Sequence, residues 1–404
     1  MSPQHHRDLA SIDQVPDVLV LSCPPGADGG PAPEATSSAL RRVLGVVREW
    51  LGDARYTDTR LMVLTRRAVA TTTGDDVEDL AAAAVRGLLR TAQQENPDRL
   101  VVIDHDDSDL GVLPAMLATG EPEAAVRAGT VLVPRLVKAA VPDGKTSAWD
   151  TGTVLITGGT GTLGGLVARH LVTTHGARDL VLASRGGDTA RGAVELATEL
   201  EALGARIRVA ACDVADRAQL TALLDTIPAL RPSSTPPVVD DGVIGSMTAD
   251  RVETVLRPKA NAAWHLHEPT RRLDLDAFVL FSSATGVLGS AGQGNYAAAN
   301  AFLDALAVHR RAQGLPAVSV AWGLWEQRSG LTAHLSEQDV ARRPVRAPFL
   351  SDERGLELFD AACRSGEPTL VATPLHLRAV AATGTAARAQ RAGTGPATPG
   401  RRGR

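Results

Sequence analysis

Abundant cysteine, long apolar runs and a large net charge are all missing from this sequence. Its three cysteines are odd in number, far apart and without a CxxC pair, which disfavours a disulfide framework or a zinc site. The first ten residues are polar, unlike a signal peptide, and no apolar run approaches the roughly 18 residues of a membrane span. The net charge of −4 gives no reason to expect nucleic acid or a membrane as a partner. We therefore expect a soluble cytoplasmic protein without a bound metal.

Lysine and tyrosine are also scarce. Lys138, Lys145 and Lys259 are the only lysines among 42 basic residues, and Tyr56 and Tyr296 are the only tyrosines. A motif that contains one of these residues is therefore unlikely to be a product of chance.

In the first half of the chain, short apolar runs alternate with helical segments. This pattern predicts a sheet of parallel strands covered by helices on both faces. The half has no Gly-rich turn after a strand and no Ser/Tyr/Lys cluster, so we expect a catalytically empty scaffold. The expected strands are 17–22, 60–65 and 99–104, and the expected helices are 38–51 and 76–94.

The second half repeats the alternation in the order of a Rossmann-type sheet. The expected strands are 153–157, 180–184, 206–211, 277–282 and 317–322, separated by helices at 162–175, 189–203, 250–269 and 295–313.

Loop-like composition at 24–37 and 142–152, and a tail with almost no large apolar residue, divide the chain. We predict an α/β protein with two Rossmann-like, doubly wound parallel-sheet subdomains. Residues 1–145 form the structural one, 150–380 form the catalytic one, and 383–404 form a disordered linker.

A Gly-rich turn follows the first strand of the second half. Gly159, Gly161 and Gly164 fit the G-x-G-x-x-G pattern, in which glycines allow a tight turn and close approach of the backbone to a pyrophosphate. The pyrophosphate then rests on the N-terminus of the following helix. A structural glycine loop is the alternative, because a chain with 38 glycines also produces chance matches.

The end of the next strand indicates which dinucleotide binds. NAD enzymes usually place an acidic residue there to hold the ribose 2′-hydroxyl, whereas this chain has Ser184 and Arg185. A hydroxyl and a guanidinium suit a 2′-phosphate, which favours NADPH. A solvated loop arginine is the other interpretation. Asp213 and Val214, after the third strand, lie where the adenine is held in this fold.

Four residues form the candidate catalytic set. Ser283 follows a strand at the carboxyl edge of the sheet, where open α/β sheets bind ligands. Tyr296 and Asn300 are one helical turn apart and share a face. Lys259 lies on the preceding helical segment. The alternatives are a packing aromatic for Tyr296 and a surface charge for Lys259.

Carbonyl reduction requires a hydride on carbon and a proton on oxygen. A tyrosine titrates at about 10, so a neighbouring ammonium and the positive charge of the cofactor must lower the pKa of Tyr296. Ser283 is expected to donate a hydrogen bond to the developing alkoxide. Asn300 is expected to hold either a water molecule at a helix kink or the lysine.

Taken together, these motifs resemble the ketoreductase domains of modular polyketide synthases, in the short-chain dehydrogenase/reductase superfamily. Tyr296-Ala-Ala-Ala-Asn300 and Lys259 match the exchange of Lys and Asn that distinguishes them from ordinary members, which have Tyr-x-x-x-Lys. Gly87-Leu-Leu-Arg-Thr-Ala-Gln93 and Leu132-Val-Pro-Arg135 resemble their structural subdomain. The resemblance covers about residues 15–380. It implies NADPH, a β-ketoacyl substrate on an acyl carrier protein, and other polyketide synthase domains as partners.

One segment departs from the family. Members carry an apolar strand that ends in a His-Ala-Ala-Gly-like run before a Leu-Asp-Asp motif. In this chain the corresponding segment, residues 233–242, is several residues shorter and has no such run. It also contains Pro236 and Pro237, and proline lacks the N–H donor that a central strand needs. This departure leaves two hypotheses: an active ketoreductase, or a redox-silent domain that serves as scaffold or docking partner. An unrelated small-molecule dehydrogenase is a third.

The resemblance also bears on stereochemistry. Val239-Asp240-Asp241 matches the Leu-Asp-Asp motif, and Leu288 occupies the position of the Trp that accompanies the opposite, A-type outcome. Both imply B-type reduction to the (3R) alcohol, and Ala298 in place of proline implies no epimerisation. The predicted site residues are Tyr296, Ser283, Lys259 and Asn300 for catalysis; Thr157, Gly159, Thr160, Gly161, Thr162, Leu163, Gly164, Ser184, Arg185, Asp213 and Val214 for the cofactor; and Asp240, Asp241, Leu288 and Gln293 for stereocontrol.

Overall fold

Two separate sheets organise the chain. The computed structural model describes residues 8–23, 32–108, 110–144, 149–227, 230–235, 244–326 and 348–374, with the backbone alone for 231–235. One sheet has five strands and the other has seven. No helix in these ranges is long and apolar enough to cross a bilayer.

The five-stranded sheet comes from the first half of the chain. Its elements are β1 Val18–Ser22, α1 Ala32–Gly52, β2 Arg60–Arg66, α2 Leu80–Glu95, β3 Leu100–His105, α3 Leu113–Ala118, β4 Glu123–Arg127 and β5 Thr130–Leu132. Alternate residues of its strands face opposite sides. Leu61 and Val63 pack in one core with α1 and α2, whereas Met62 and Leu64 pack in another with Met116 of α3.

Two details of this sheet correct the sequence predictions. Its strands follow one another in chain order, β1 to β5, so this subdomain is Rossmann-like but not doubly wound. Open α/β sheets bind ligands where the strand order reverses. A sheet without such a reversal offers no crevice of this kind, which agrees with a catalytically empty scaffold. The connector expected at 24–37 is also partly helical, because α1 begins at Ala32.

The seven-stranded sheet comes from the rest of the chain. Its elements are β6 Thr153–Thr157, α4 Thr162–Thr174, β7 Asp179–Ser184, α5 Ala193–Ala202, β8 Arg206–Ala211, α6 Arg217–Leu224, β9 Leu230–Thr235, α7 Ala249–Leu256, a π-helix Arg257–Asn261, α8 Ala262–Thr270, β10 Ala277–Ser283, α9 Ala284–Leu288, α10 Gly294–Ala312, β11 Val318–Trp322, α11 Asp352–Arg364 and β12 Thr369–Ala372. All strands are parallel, in the order β12-β11-β10-β9-β6-β7-β8. The order reverses between β6 and β9, which confirms the doubly wound prediction for this half.

Strand β9 is central, as the family resemblance implies, although its sequence is polar. It pairs with β10 on one side and with β6 on the other. Thr153 lies opposite Leu230 and Leu155 lies opposite Ser233, so β9 carries one residue more than β6 over this stretch. Proline within a sheet is tolerated at such bulges. The irregularity therefore accommodates Pro232. The two prolines that the sequence analysis expected to interrupt this strand, Pro236 and Pro237, lie outside the described residues.

The two halves meet where α2 packs against α10. Gly87 of α2 lies so close to α10 that a Cβ there would overlap the backbone oxygen of Ala297 and lie 2.7 Å from Ala301 Cβ. Glycine is therefore required at this contact by space rather than by backbone conformation. This contact joins the scaffold to the helix that carries Tyr296.

We predict that Gly87→Ala lowers the free energy of unfolding by about 1–3 kcal/mol, because the added methyl overlaps a packed helix. Gly45→Ala in α1 is the control, since no described atom lies within 4 Å of a Cβ at that position. Better helix propensity should make the control up to about 1 kcal/mol more stable. Urea unfolding measures both, and equal effects would contradict the close contact.

Candidate active site

Two buried polar side chains meet behind the carboxyl end of β10. Lys259 in the π-helix and Asn300 on α10 are both fully buried. Lys259 Nζ donates to Asn300 Oδ1 at 2.8 Å and to the backbone oxygen of Phe281 at 3.1 Å. Asn300 Nδ2 donates to the backbone oxygen of Tyr296 at 2.8 Å. The sequence analysis expected Asn300 to hold either a water molecule or the lysine, and in the structure it is bonded to the lysine.

Tyr296 and Ser283 lie at the more open side of this network. Lys259 Nζ is 5.2 Å from the centroid of the Tyr296 ring. Ser283 is the last residue of β10, and its hydroxyl oxygen accepts the backbone N–H of Thr285 at 3.3 Å. Both residues are partly exposed, whereas Lys259 and Asn300 are not. The arrangement thus places a phenol and a hydroxyl toward solvent, with a buried ammonium behind them.

A further acid, which the sequence analysis missed, lies one turn beyond Asn300. Asp304 accepts a hydrogen bond from Ser319 Oγ at 2.6 Å. Burial raises the pKa of Asp304, although hydrogen bonds from Ser319 and Ser282 oppose the rise. The spacing of Tyr296, Asn300 and Asp304 at intervals of four residues is the signal that indicates a shared helix face.

The Gly-rich turn after β6 is a close-packed cradle. A Cβ at Gly164 would overlap the backbone oxygen of Gly158, and one at Gly159 would lie 2.8 Å from the backbone oxygen of Ile156. Gly158 has φ of +59°, in the left-handed region that favours glycine. Helix α4 begins at Thr162 with no side-chain cap on its first turn. Its N-terminal N–H groups are therefore suited to an anion.

The ends of β7 and β8 also fit a dinucleotide. Ser184 Oγ is buried and has no hydrogen-bond partner among the described residues, as expected for a group that a ligand completes. Arg185 is exposed and forms no hydrogen bond or ion pair within the described ranges. Asp213 is held by Arg257 Nη2 at 2.6 Å. Val214 packs against the core beside it.

The predicted stereocontrol residues are placed in part. Leu288 ends α9, and its backbone oxygen accepts from Gln94 Nε2 at 3.3 Å. Gln293 is buried just before α10 and accepts from Thr285 Oγ1 at 3.3 Å. Asp240 and Asp241 lie outside the described residues.

Comparisons with known proteins follow the same two-part division. A model of the KR domain matches residues 152–327, and a model of the Rossmann fold domain of the polyketide synthase extender module SpnB matches residues 3–136. A solved A1-type ketoreductase is 40% identical, with a TM-score of 0.78, over 85% of this chain and 75% of that one. The first ketoreductase of the tylosin polyketide synthase is 33% identical, with a TM-score of 0.80, over 92% and 96%. This chain belongs to the polyketide synthase ketoreductase domains.

Membership of this family confirms the family predicted from the sequence, but it does not decide between A-type and B-type stereochemistry. Ketoreductase domains are oxidoreductases that use a nicotinamide cofactor, which removes the unrelated dehydrogenase from the hypotheses. One similar structure is A1-type, so B-type stereochemistry stays a prediction. Polyketide synthase GfsA of Streptomyces halstedii is 52% identical over 344 residues, which are 83% of this chain and 5% of GfsA. The ketoreductase thus spans a small share of this relative's length.

A second polar cluster of the ketoreductase joins helices α4 and α11. Nε2 atoms of His170 and His175 lie 2.9 and 2.7 Å from the same Asp360 oxygen. These distances fit ring N–H groups that donate to a carboxylate. A metal ion would have to displace those protons. Hydrogen bonds therefore account for the cluster as it stands.

The buried lysine is the unusual electrostatic feature of the ketoreductase. Burial lowers the pKa of Lys259 from 10.5 to about 7, and the charge of Asp304 partly opposes this shift. Below pH 7 the lysine is charged in both the folded and the unfolded chain. Between pH 7 and about 10 only the unfolded chain keeps the proton, so stability must rise with pH in that window.

We predict that Lys259→Met abolishes this rise. One such proton changes the free energy of unfolding by at most about 1.4 kcal/mol per pH unit. The difference in free energy of unfolding, native protein minus variant, should therefore increase steadily from pH 7 to 10. Lys138→Met, at an exposed position, is the matched control and should keep the native slope. Urea unfolding at several pH values measures the difference, and parallel curves for native protein and Lys259→Met would contradict the assigned pKa.

Proposed function

We propose that this ketoreductase reduces a β-ketoacyl thioester, carried by an acyl carrier protein, to the (3R)-hydroxyacyl thioester with NADPH as reductant. The observation that carries the proposal is the hydrogen-bonded network of Lys259, Asn300 and Tyr296 at the carboxyl end of β10. The glycine turn follows β6 in the same sheet, so it lies at the carboxyl ends of the strands as the network does. Ligands bind at these strand ends in this fold. The carrier protein and neighbouring synthase domains belong to the proposal as partners.

Tyr296 is the proton donor in the proposed reaction. When bound, NADPH would supply the hydride for the new C–H bond at the β-carbon. The carbonyl π electrons move to oxygen, and Tyr296 transfers its phenolic proton there, leaving a phenolate that solvent reprotonates. In its protonated form Lys259, whose Nζ lies 5.2 Å from the ring centroid, stabilises the phenolate that the transfer leaves, and the phenolate in turn favours the protonated lysine. Asn300 fixes the ammonium by accepting from it.

Ser283 is the second donor to the reacting oxygen. In the structure its oxygen accepts from a backbone N–H, so its own proton is free to be directed elsewhere. A donor aimed at the position where negative charge develops lowers the barrier more than it stabilises the ketone. Gln293 is linked to the same segment, because Thr285, whose N–H Ser283 accepts, donates its hydroxyl to Gln293 Oε1.

The preference for NADPH rests on the end of β7. Glycines and the N-terminus of α4 suit the pyrophosphate of either nicotinamide cofactor. The Ser184 hydroxyl, which has no partner in the part of the chain that the structure describes, and the exposed Arg185 distinguish the two cofactors. Both groups complement a 2′-phosphate, and neither replaces the acid that an NAD enzyme uses.

A redox-silent scaffold is the second candidate function, and strand β9 is the observation that favours it. The strand carries Pro232 and an irregular register in the centre of the catalytic sheet. A fluorescence titration with NADPH, followed by an assay of ketone reduction, distinguishes the two candidate functions. A scaffold that lost its site leaves NADPH fluorescence unchanged and reduces no ketone.

We predict that the protein turns over a 3-ketoacyl thioester with NADPH, and that chiral chromatography finds mainly the (3R) alcohol. Tyr296→Phe should lower kcat by about 10²–10⁴-fold, the usual contribution of a positioned acid, with NADPH affinity unchanged. Tyr56→Phe, at the other tyrosine, is the control for loss of a phenol. A mainly (3S) product refutes the B-type assignment, and an active Tyr296→Phe variant refutes the proton donor.

For the cofactor, we predict that Arg185→Ala loses about 1.5–3 kcal/mol of NADPH binding, as expected for hydrogen bonds to a charged group. Affinity for NADH should hardly change, because NADH lacks the 2′-phosphate. Fluorescence titration with both cofactors measures the difference. Arg191→Ala, an arginine of the loop before α5, is the control for loss of charge. Equal weakening with both cofactors would mean that Arg185 only shapes the loop.

A further inference from the structure

Helix α9 is too short to be stable by itself. It has five residues, Ala284–Leu288, and it follows Ser283 directly. Isolated helices shorter than roughly 12–15 residues are marginal in water. At its N-terminal end, α9 is held by Ser283, whose hydroxyl oxygen accepts the backbone N–H of Thr285. The rest of the helix depends on contacts made by other elements.

Side chains of α2 supply these contacts at the C-terminal end of α9. Arg90 Nη1 donates to the backbone oxygen of Gly286 at 2.7 Å, and Gln94 Nε2 donates to that of Leu288 at 3.3 Å. Both oxygens belong to the last turn, whose carbonyls a helix cannot pair by itself. The scaffold half therefore caps a helix that begins next to a proposed catalytic residue.

Close packing fixes α9 on two sides. Toward α10, a Cβ at Gly286 would lie 3.0 Å from Asn300 Cβ. Toward α2, a Cβ at Gly289 would lie 2.6 Å from the backbone oxygen of Arg90, and Gly289 has φ of +73°, in the region that favours glycine. The helix thus lies between α2 and the helix that carries Asn300.

Glu95, the last residue of α2, extends these contacts beyond α9. Its Oε1 accepts the backbone N–H of Gly292, on the connection from α9 to α10, and its Oε2 accepts that of Ile244, each at 2.9 Å. Side chains of α2 therefore bond to the backbone of the connection as well as to that of α9.

Arg90 is itself held in one orientation. Its Nε and Nη2 donate to the two carboxylate oxygens of Glu123 on β4, at 2.7 and 3.0 Å. Glu123 also accepts from Arg86 Nη2 at 2.9 Å. A guanidinium in a bidentate pair has a fixed plane, so Nη1 meets the oxygen of Gly286 at one position. The backbone of α9 is thereby held at a fixed place relative to β4.

We propose that Arg90 is a positioning residue for the Ser283 hydroxyl in ketone reduction. The inference rests on the proposed function and gives the scaffold half a part in it. When Arg90 no longer holds α9, the helix can turn or unwind, and Ser283 loses the N–H of Thr285 that fixes its oxygen. The hydroxyl is then aimed less often at the oxygen of the ketone. This loss affects the transition state more than the bound substrate.

The test compares Arg90→Met with Arg135→Met. Methionine keeps an unbranched apolar side chain without the guanidinium, and Glu123 keeps Arg86 as its partner. Arg135 is the matched control, because it forms an ion pair of the same half with Glu121 and its side chain is 23% exposed, against 20% for Arg90. With a 3-oxopentanoyl thioester as substrate, we expect Arg90→Met to lower kcat by about tenfold, since small misplacements of a catalytic group are costly. The Kd for NADPH should not change, and the control should behave as the native protein does.

A double variant decides whether Arg90 acts through Ser283. Ser283→Ala alone should lower kcat by about 10²–10³-fold, as expected for loss of a donor to the developing negative charge. Addition of Arg90→Met should then lower kcat by less than about twofold more, because the hydroxyl that Arg90 positions is gone. A merely structural loss would multiply with that of Ser283→Ala. Effects that multiply, or an unchanged kcat in Arg90→Met, overturn the proposal.

A second measurement does not depend on turnover. The amide of Gly289 donates to the backbone oxygen of Thr285 at 2.9 Å, so its hydrogen exchange reports on α9. Exchange there should quicken about tenfold or more in Arg90→Met, as expected for local opening, with the amides of β10 and the control unchanged. Unchanged exchange overturns the proposal.

The outcomes also separate this proposal from the proposed function. A native protein that binds NADPH but reduces no thioester overturns the proposed function, and the role of Arg90 in it. Multiplying effects in a native protein that reduces the thioester overturn the role of Arg90 alone.

Discussion

A lysine amino group without access to water is the constraint on which the catalytic half of this ketoreductase depends. A buried charge is tolerated only when hydrogen bonds replace its hydration. Lys259 finds them on two different elements, the backbone of β10 at Phe281 and the side chain of Asn300 on α10. The π-helix, strand β10 and helix α10 must therefore keep fixed relative positions. The same bonds place the charge beside the Tyr296 ring, so stability is given up at the point where the proposed chemistry needs a cation.

Helix α10 transmits this constraint to the first half of the chain. Its face near Ala297 and Ala301 leaves room for α2 only because α2 has glycine at position 87. Once the helices lie this close, the side chains at the end of α2 reach the loop before Tyr296 and bond to its backbone. A sheet without a ligand crevice can therefore shape a site to which it contributes no reacting group. Its strand order explains the missing crevice, and its helix packing explains why it contributes to the site.

Local patterns predicted much of the fold and candidate site, whereas contacts between distant residues had to await the structure. The glycine turn was predictable because strand, turn and helix are consecutive, and Lys259 stood out because lysine is rare. Strand order in the first sheet was not predictable, since alternation of strand and helix is the same for a sheet with or without a reversal. Glu95 carried no signal, because its partners lie 149 and 197 residues away. Asp304 had a helical spacing but no motif to draw attention to it.

Strand β9 shows why an irregular sequence in the centre of the sheet does not by itself imply a lost site. The irregularity lies at Arg231 and Pro232, at the start of the strand, and regular pairing resumes at Ser233 and Ser234 toward the carboxyl end. The groups proposed for chemistry are attached elsewhere: Ser283 to β10, Tyr296 and Asn300 to α10, and Lys259 to the π-helix. None of these four residues lies on β9, so the irregular strand removes none of them. The supports of the proposed proton transfer are thus separate from the irregular strand.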